Sequence, residues 1–144
     1  MKLLVCVKYV PSVTEGIRMD ENHSLVRDGV IHQLNVADEP AVELALRLRG
    51  EGSVTVMSMG KAELEAGMRE LLAKGVDEAV LLTDRRFAGA DTYATARTLA
   101  GAVSLLGPFD LILCGRRAVD GETGQVPAEL AAMLGAPCVT NVTA

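Results

Sequence analysis

The chain is cut into short, nearly all-apolar runs separated by longer stretches of helical period, and this alternation restricts the fold more than any other feature. KLLVCVK (2–8), SVTVMSM (53–59), AVLLT (79–83), LILC (111–114) and the stretch Cys138 to Val142 each read as a strand. Apolar residues at successive positions suit strands covered on both faces, as in a parallel sheet. Between them lie helix signals. Asp38-Glu39-Pro40 opens one helix, with Asp38 at the N-cap, Pro40 in the first turn and the acids at the positive end of the dipole. Val42, Ala45 and Leu46 continue at helical spacing, and Gly50 and Gly52 close the element. Residues 61–74 place Leu64, Met68, Leu71 and Leu72 on one face before Gly75. Asp91 caps a helix to about Leu106, ended by Gly107-Pro108, and a last helix runs from about 125 to 134 before Gly135.

Strand–helix–strand repeated along a chain predicts a parallel sheet with helices on both faces and right-handed crossovers. The expectation is an α/β fold, a doubly wound and mostly parallel five-stranded sheet of order 3-2-1-4-5. One excursion interrupts it. In residues 12–34, Ile17-Arg18-Met19 and Ser24-Leu25-Val26 flank the turn Asp20-Glu21-Asn22, which predicts a short hairpin after the first strand.

The length of 144 residues fits one domain with its own core. A net charge of −5 argues against general affinity for nucleic acid or an anionic membrane. No apolar stretch approaches the roughly 20 residues of a membrane span, so no membrane insertion is expected. Cys6, Cys114 and Cys138 share no metal-type spacing and sit in strand-like runs, as reduced thiols of a cytoplasmic protein do. Aromatic residues make up 3% of the chain, which leaves few stacking platforms, so a nucleotide would be held by backbone and polar groups.

Open parallel sheets take ligands beyond the carboxyl ends of their strands, where the winding reverses. For this order the crevice lies between the ends of the first and fourth strands, at Cys6-Val7-Lys8 and Cys114-Gly115-Arg116. The fourth strand runs into GRRAVDGETGQV (115–126), more polar than a connection requires. Pro127 belongs in a first helical turn, so the N–H groups of Gly124, Gln125 and Val126 point outward at the positive end of a dipole, a phosphate site. Thr123 is placed to cap or touch phosphate, Asp120 or Glu122 to accept from ribose hydroxyls, and Arg116 and Arg117 to add charge. Gly115 lets another group approach the backbone. The competing reading of the same residues is a turn, a cap and two solvated arginines. Lys8, at a strand end, is within reach of a phosphate, though a strand-terminal lysine is more often simply solvated. Neither a Gly-x-Gly-x-x-Gly turn nor a Gly-x-x-x-x-Gly-Lys-Ser/Thr loop is present, and no nucleophile–base set assembles.

VCVKYVP (5–11), DGVIHQLNVADEPAVELALRLR (28–49), SVTVMSMG, LAKGVDEAVLL and FDLILCGRRAVDGETGQVPAELAAMLGAP (109–137) together resemble the β subunit of electron transfer flavoprotein, in order along nearly the whole chain. The resemblance implies an adenine-nucleotide-binding, Rossmann-like single domain over 1–144, truncated relative to a family that continues with further sheet and a C-terminal arm. It implies an electron carrier subunit without chemistry of its own. Such a subunit pairs with an α subunit and, through that complex, with dehydrogenases and a quinone reductase or similar acceptor. The implied cofactor is AMP or FAD; the Asp-Gly-acid-Thr-x-Gln-Val pattern of Asp120 to Val126 resembles the branch that binds a second FAD and bifurcates electrons from NADH, or the nitrogen-fixation-linked relatives. Carried over position by position, the nucleotide contacts are Cys6, then Asn35, Val36, Ala37 and Asp38, then Met59. The last block is Gly115, Arg116, Arg117, Ala118, Val119, Asp120, Gly121, Glu122, Thr123, Gly124, Gln125 and Val126. The alternative is a stand-alone ATP- or AMP-binding regulator of universal-stress-protein type, against which the spacing of GRRAVDGETG counts.

Overall fold

A computed structural model of the chain describes residues 1–12 and 31–143, together with the backbone of 18–19 and 25–26. Its centre is β1 (Lys2–Cys6), flanked in parallel by β6 (Ser53–Met59) and β8 (Leu111–Cys114), with β7 (Glu78–Leu82) outside β6. The sheet order is β7-β6-β1-β8. Helices α1 (Glu39–Leu48) and α2 (Glu65–Ala73) cover one face; α3 (Thr92–Leu106) and α4 (Val126–Leu134) cover the other.

Side-chain alternation along β1 builds both cores. Leu3, Val5 and Val7 meet Ala41, Val42, Ala45, Met68 and Leu71 of the first helix pair, while Leu4 meets Ala96, Leu99, Val103 and Leu130 of the second. Leu3, Leu4 and Val5 are fully buried. At about 2 kcal/mol for each such side chain, one strand anchors both layers. Winding runs outward from β1 through β6 to β7 on the α1–α2 side. It returns over the other face through α3 to β8. The reversal therefore lies between β1 and β8, where the chain alternation placed it.

Two features differ from expectation. Residues 138–142 form no strand: 136–143 are exposed irregular backbone, so the sheet has four strands among the described residues. Pro137 has no N–H to donate to a ladder, and Asn141 adopts φ +54, which interrupts the extended backbone. The chain also pairs where no pairing was expected: β2 (Tyr9–Pro11) runs antiparallel to β5 (His32–Leu34). Beyond it, β3 (Arg18–Met19) pairs antiparallel with β4 (Leu25–Val26), with the intervening turn 20–24 outside the described residues. The β2–β5 ribbon matters to the site because it delivers Asn35 beside Lys8.

Candidate functional site

The crevice is held together by a buried polar knot. Asn35 is 1% exposed and uses both halves of its amide. Its Nδ2 donates to Asp38 Oδ1 at 3.0 Å and to the Arg117 carbonyl at 2.9 Å, while its Oδ1 accepts from the Val119 N–H at 3.2 Å. Its own N–H donates to the Lys8 carbonyl at 2.9 Å. Asp38 stands at the N-cap of α1 but makes no cap bond to that helix. Its Oδ2 accepts instead from the Lys8 N–H at 2.8 Å. Burial pushes the Asp38 carboxyl above its ordinary range, opposed by the hydrogen bonds from Lys8 and Asn35. One turn thus ties the end of β1 to the loop after β8.

That loop leaves β8 at Gly115, and the reason for glycine is internal. A Cβ there would collide with the Asp38 carboxylate and stand 2.6 Å from the Ala37 carbonyl oxygen. The group approaching this backbone is the protein's own 35–38 turn. Lys8 is tethered too: its Nζ donates to Asp120 Oδ1 at 2.7 Å across the crevice mouth, so it is not simply a solvated strand-end lysine. Asp120 keeps a second carboxylate oxygen free of any bond to the described residues. Arg117 stands 3.6 Å from Glu122, and Arg116 is exposed.

From Ala118 the chain curls through a turn closed by the Glu122 N–H on the Ala118 carbonyl at 2.8 Å, with Glu122 at φ +53 and Gly124 at φ +61. Gly121 faces open space. Helix α4 then begins at Val126, and the side chain of Gln125 before it does not cap it. The N–H groups of Thr123, Gly124, Gln125 and Val126 find no acceptor among the described residues, and all but half-buried Val126 are exposed. Open donors at a helix start, two arginines and a free carboxylate oxygen suit a phosphate-bearing ligand with hydroxyl groups.

The remaining residues named from the sequence divide. Cys6 closes β1 directly opposite Cys114 on β8. Met59 ends β6 and packs toward α3 and α4. Ala37 lies against Gly115, whereas Val36 lines a cavity of about 480 Å³ on the α1–α2 side, with Tyr9, Leu34 and Gly67. That cavity and a neighbouring one of about 270 Å³ over Val42 and Leu46 lie away from the loop 115–126. Sequence reasoning missed Lys8 as a tether and Asn35 as the knot. An asparagine three residues before Asp38, at the approach to a helix start, was the available signal, since a buried amide must find partners.

The Electron transfer flavoprotein domain family matches residues 23–144. An electron transfer flavoprotein subunit beta from Thermoanaerobacterium thermosaccharolyticum is 48% identical over 99% of this chain and 55% of its own length. Subunit CarD of the caffeyl-CoA reductase–Etf complex of Acetobacterium woodii is 44% identical over 99% of the chain and 55% of its own. Protein FixA of Bradyrhizobium diazoefficiens is 40% identical, with 99% and 51% covered. The chain spans about half the length of the curated relatives it matches.

Proposed function

The chain belongs to the electron transfer flavoprotein family, and on that premise we propose that it is the nucleotide-holding part of a β-type subunit, binding AMP or FAD in the crevice between β1 and β8. The observation that carries this reading is the uncapped start of α4, whose free N–H groups open beside Arg116 and Arg117. Those N–H groups would hold phosphate, and the free oxygen of Asp120 would accept from a ribose hydroxyl. Asn35, Asp38 and Lys8 act one step back, keeping the loop at the strand ends. FAD, when bound, would supply a redox centre; AMP would supply none. In either case this chain's residues bind and orient, and none is assigned a chemical step.

The wider role follows the family. The chain pairs with an α subunit in the cytoplasm, and the pair carries electrons from dehydrogenases to a quinone reductase or similar acceptor. Relatives named as subunits of electron transfer complexes support this. No helix among the described residues is long and apolar enough to cross a membrane.

The test is direct. The purified protein is denatured and its supernatant analysed by chromatography and mass spectrometry, after a visible spectrum is recorded. Near-stoichiometric AMP, or FAD with a yellow solution, is the expected result. A protein that releases neither, and binds neither when they are added, has no such site.

A further inference from the structure

Two thiols lie side by side at the carboxyl ends of the central strands. The register sets Cys6 on β1 directly opposite Cys114 on β8. Two residues back on each strand, Leu4 and Ile112 are also partners, and both pack into the cluster beneath α3 and α4. Side chains alternate along a strand, so Cys6 and Cys114 project from that same face. Adjacent strands run about 4.8 Å apart. A disulfide spans Cα separations of about 4.4–6.8 Å, with the Cβ atoms about 3.8 Å apart. The pair is in range at Cα and needs its Cβ atoms drawn together by on the order of an ångström. Strand β8 is suited to yield that distance. It has four residues, Cys114 is its last, and among the described residues it pairs on one side only. Both cysteines are free and only partly buried, so a small oxidant can reach them.

We propose that Cys6 and Cys114 form a dithiol–disulfide couple, a redox modification site on the floor of the crevice that responds to hydroperoxides. The adjacent Cys114 thiol, with burial, pushes Cys6 up well above the ordinary thiol range, and pairing with Cys6 holds Cys114 below it. Cys114, the last residue of the edge strand β8, attacks as its thiolate. Its sulfur takes the distal peroxide oxygen, the O–O bond breaks, and the departing alkoxide picks up a proton to leave as alcohol. Sulfenic acid remains on Cys114. The Cys6 thiol then condenses with it: the S–S bond forms, the S–O bond breaks, and water leaves with the Cys6 proton. The two thiols lose two electrons and two protons to one peroxide, which ends as one alcohol and one water. The couple stands whether or not the crevice holds a nucleotide.

The experiment removes the exposed third thiol first, by Cys138→Ser, so that links between molecules do not intrude. The folded variant is treated with cumene hydroperoxide, alkylated, digested without reduction and mapped by mass spectrometry. The expected product is a peptide pair joining Cys6 to Cys114, lighter by two hydrogens and returned to free thiols by dithiothreitol. Recovery of both cysteines as alkylated thiols, or of sulfinic acid on either without a link, would overturn the proposal. So would a link that forms only in guanidinium, where the strand register is lost.

Discussion

Helices α3 and α4 pack together on one face of the sheet, yet they begin in opposite ways. At α3 the backbone of Asp91 is extended, and its carboxylate accepts the Ala94 N–H at 2.8 Å. At α4 the preceding residue, Gln125, already has helical backbone and gives its own helix no side-chain bond. Its amide oxygen lies instead 3.5 Å from the Thr92 hydroxyl, which donates to Glu129 at 3.0 Å. A good cap contributes about 1 kcal/mol. One helix takes that gain and its neighbour forgoes it. The neighbour is the helix that starts beside the reversal of winding, where this class of fold receives ligands. An omitted cap at that position leaves the donors that the proposed nucleotide site would use.

The contrast between a closed side and an open loop breaks most visibly within the loop itself. Gly115 is packed against the Asp38 turn, whereas Gly121 faces open space. Gly115→Ala is expected to lower unfolding stability by about 3 kcal/mol, since the neighbours at that point are a buried carboxylate and backbone. Gly121→Ala should stay within about 0.5 kcal/mol. Urea denaturation of the two variants decides it, and equal losses would mean that the loop is one rigid body.

A pair of smaller changes tests the helix starts. Asp91→Ala should cost about 1 kcal/mol of stability and leave nucleotide affinity alone. Gln125→Asp should do the reverse, holding stability within about 0.5 kcal/mol while weakening AMP or FAD about tenfold, because a carboxylate then occupies the positive end that phosphate needs. Urea unfolding and calorimetric titration give both axes. Loss of nucleotide in the Asp91 variant alone would invert the comparison.

The smallest effect expected is one of pH. Asp84 closes its own turn, as Asp91 does, accepting from the Arg86 N–H and side chain. The Arg86 side chain, followed by its N–H, lowers the Asp84 carboxyl from 3.8 to about 2. A depressed carboxylate contributes stability above its unfolded value and loses it as pH falls through the folded one. The melting temperatures of the native protein and Asp84→Asn should therefore part above the ordinary carboxylate range and converge toward about pH 2. Asp38 has the opposite sign. Its raised carboxyl contributes most below its unfolded value, and that contribution is lost as pH climbs through the folded one.

The sheet was legible because its four strands announce themselves through short, largely apolar runs, and the caps and glycines punctuate the helices between them. The reversal of winding between β1 and β8 followed from the order of the elements. What escaped was everything fixed by contact between distant residues. Gly115 looked like room for a ligand, and only the fold shows the 35–38 turn occupying that room. Asp38 looked like a helix cap; its carboxylate is drawn to the Lys8 N–H because β2 and β5 bring the two together. The stretch 138–142 carried strand composition, but composition does not supply a ladder partner across Pro137 and Asn141.

The Asn35 knot also bears on the order in which the molecule assembles. It joins positions 82 and 84 residues apart, so the loop after β8 stays unfastened until the ribbon, β1 and β8 have all come together. Such long-range closures are slow, because chain entropy is lost before any contact compensates it. During synthesis, a chain that has emerged only as far as β7 already contains the turn, the ribbon and most of the core, but not the loop after β8. On the proposed reading, competence to hold a nucleotide would arrive late and as a single event, which would make a bound nucleotide a reporter of completed folding.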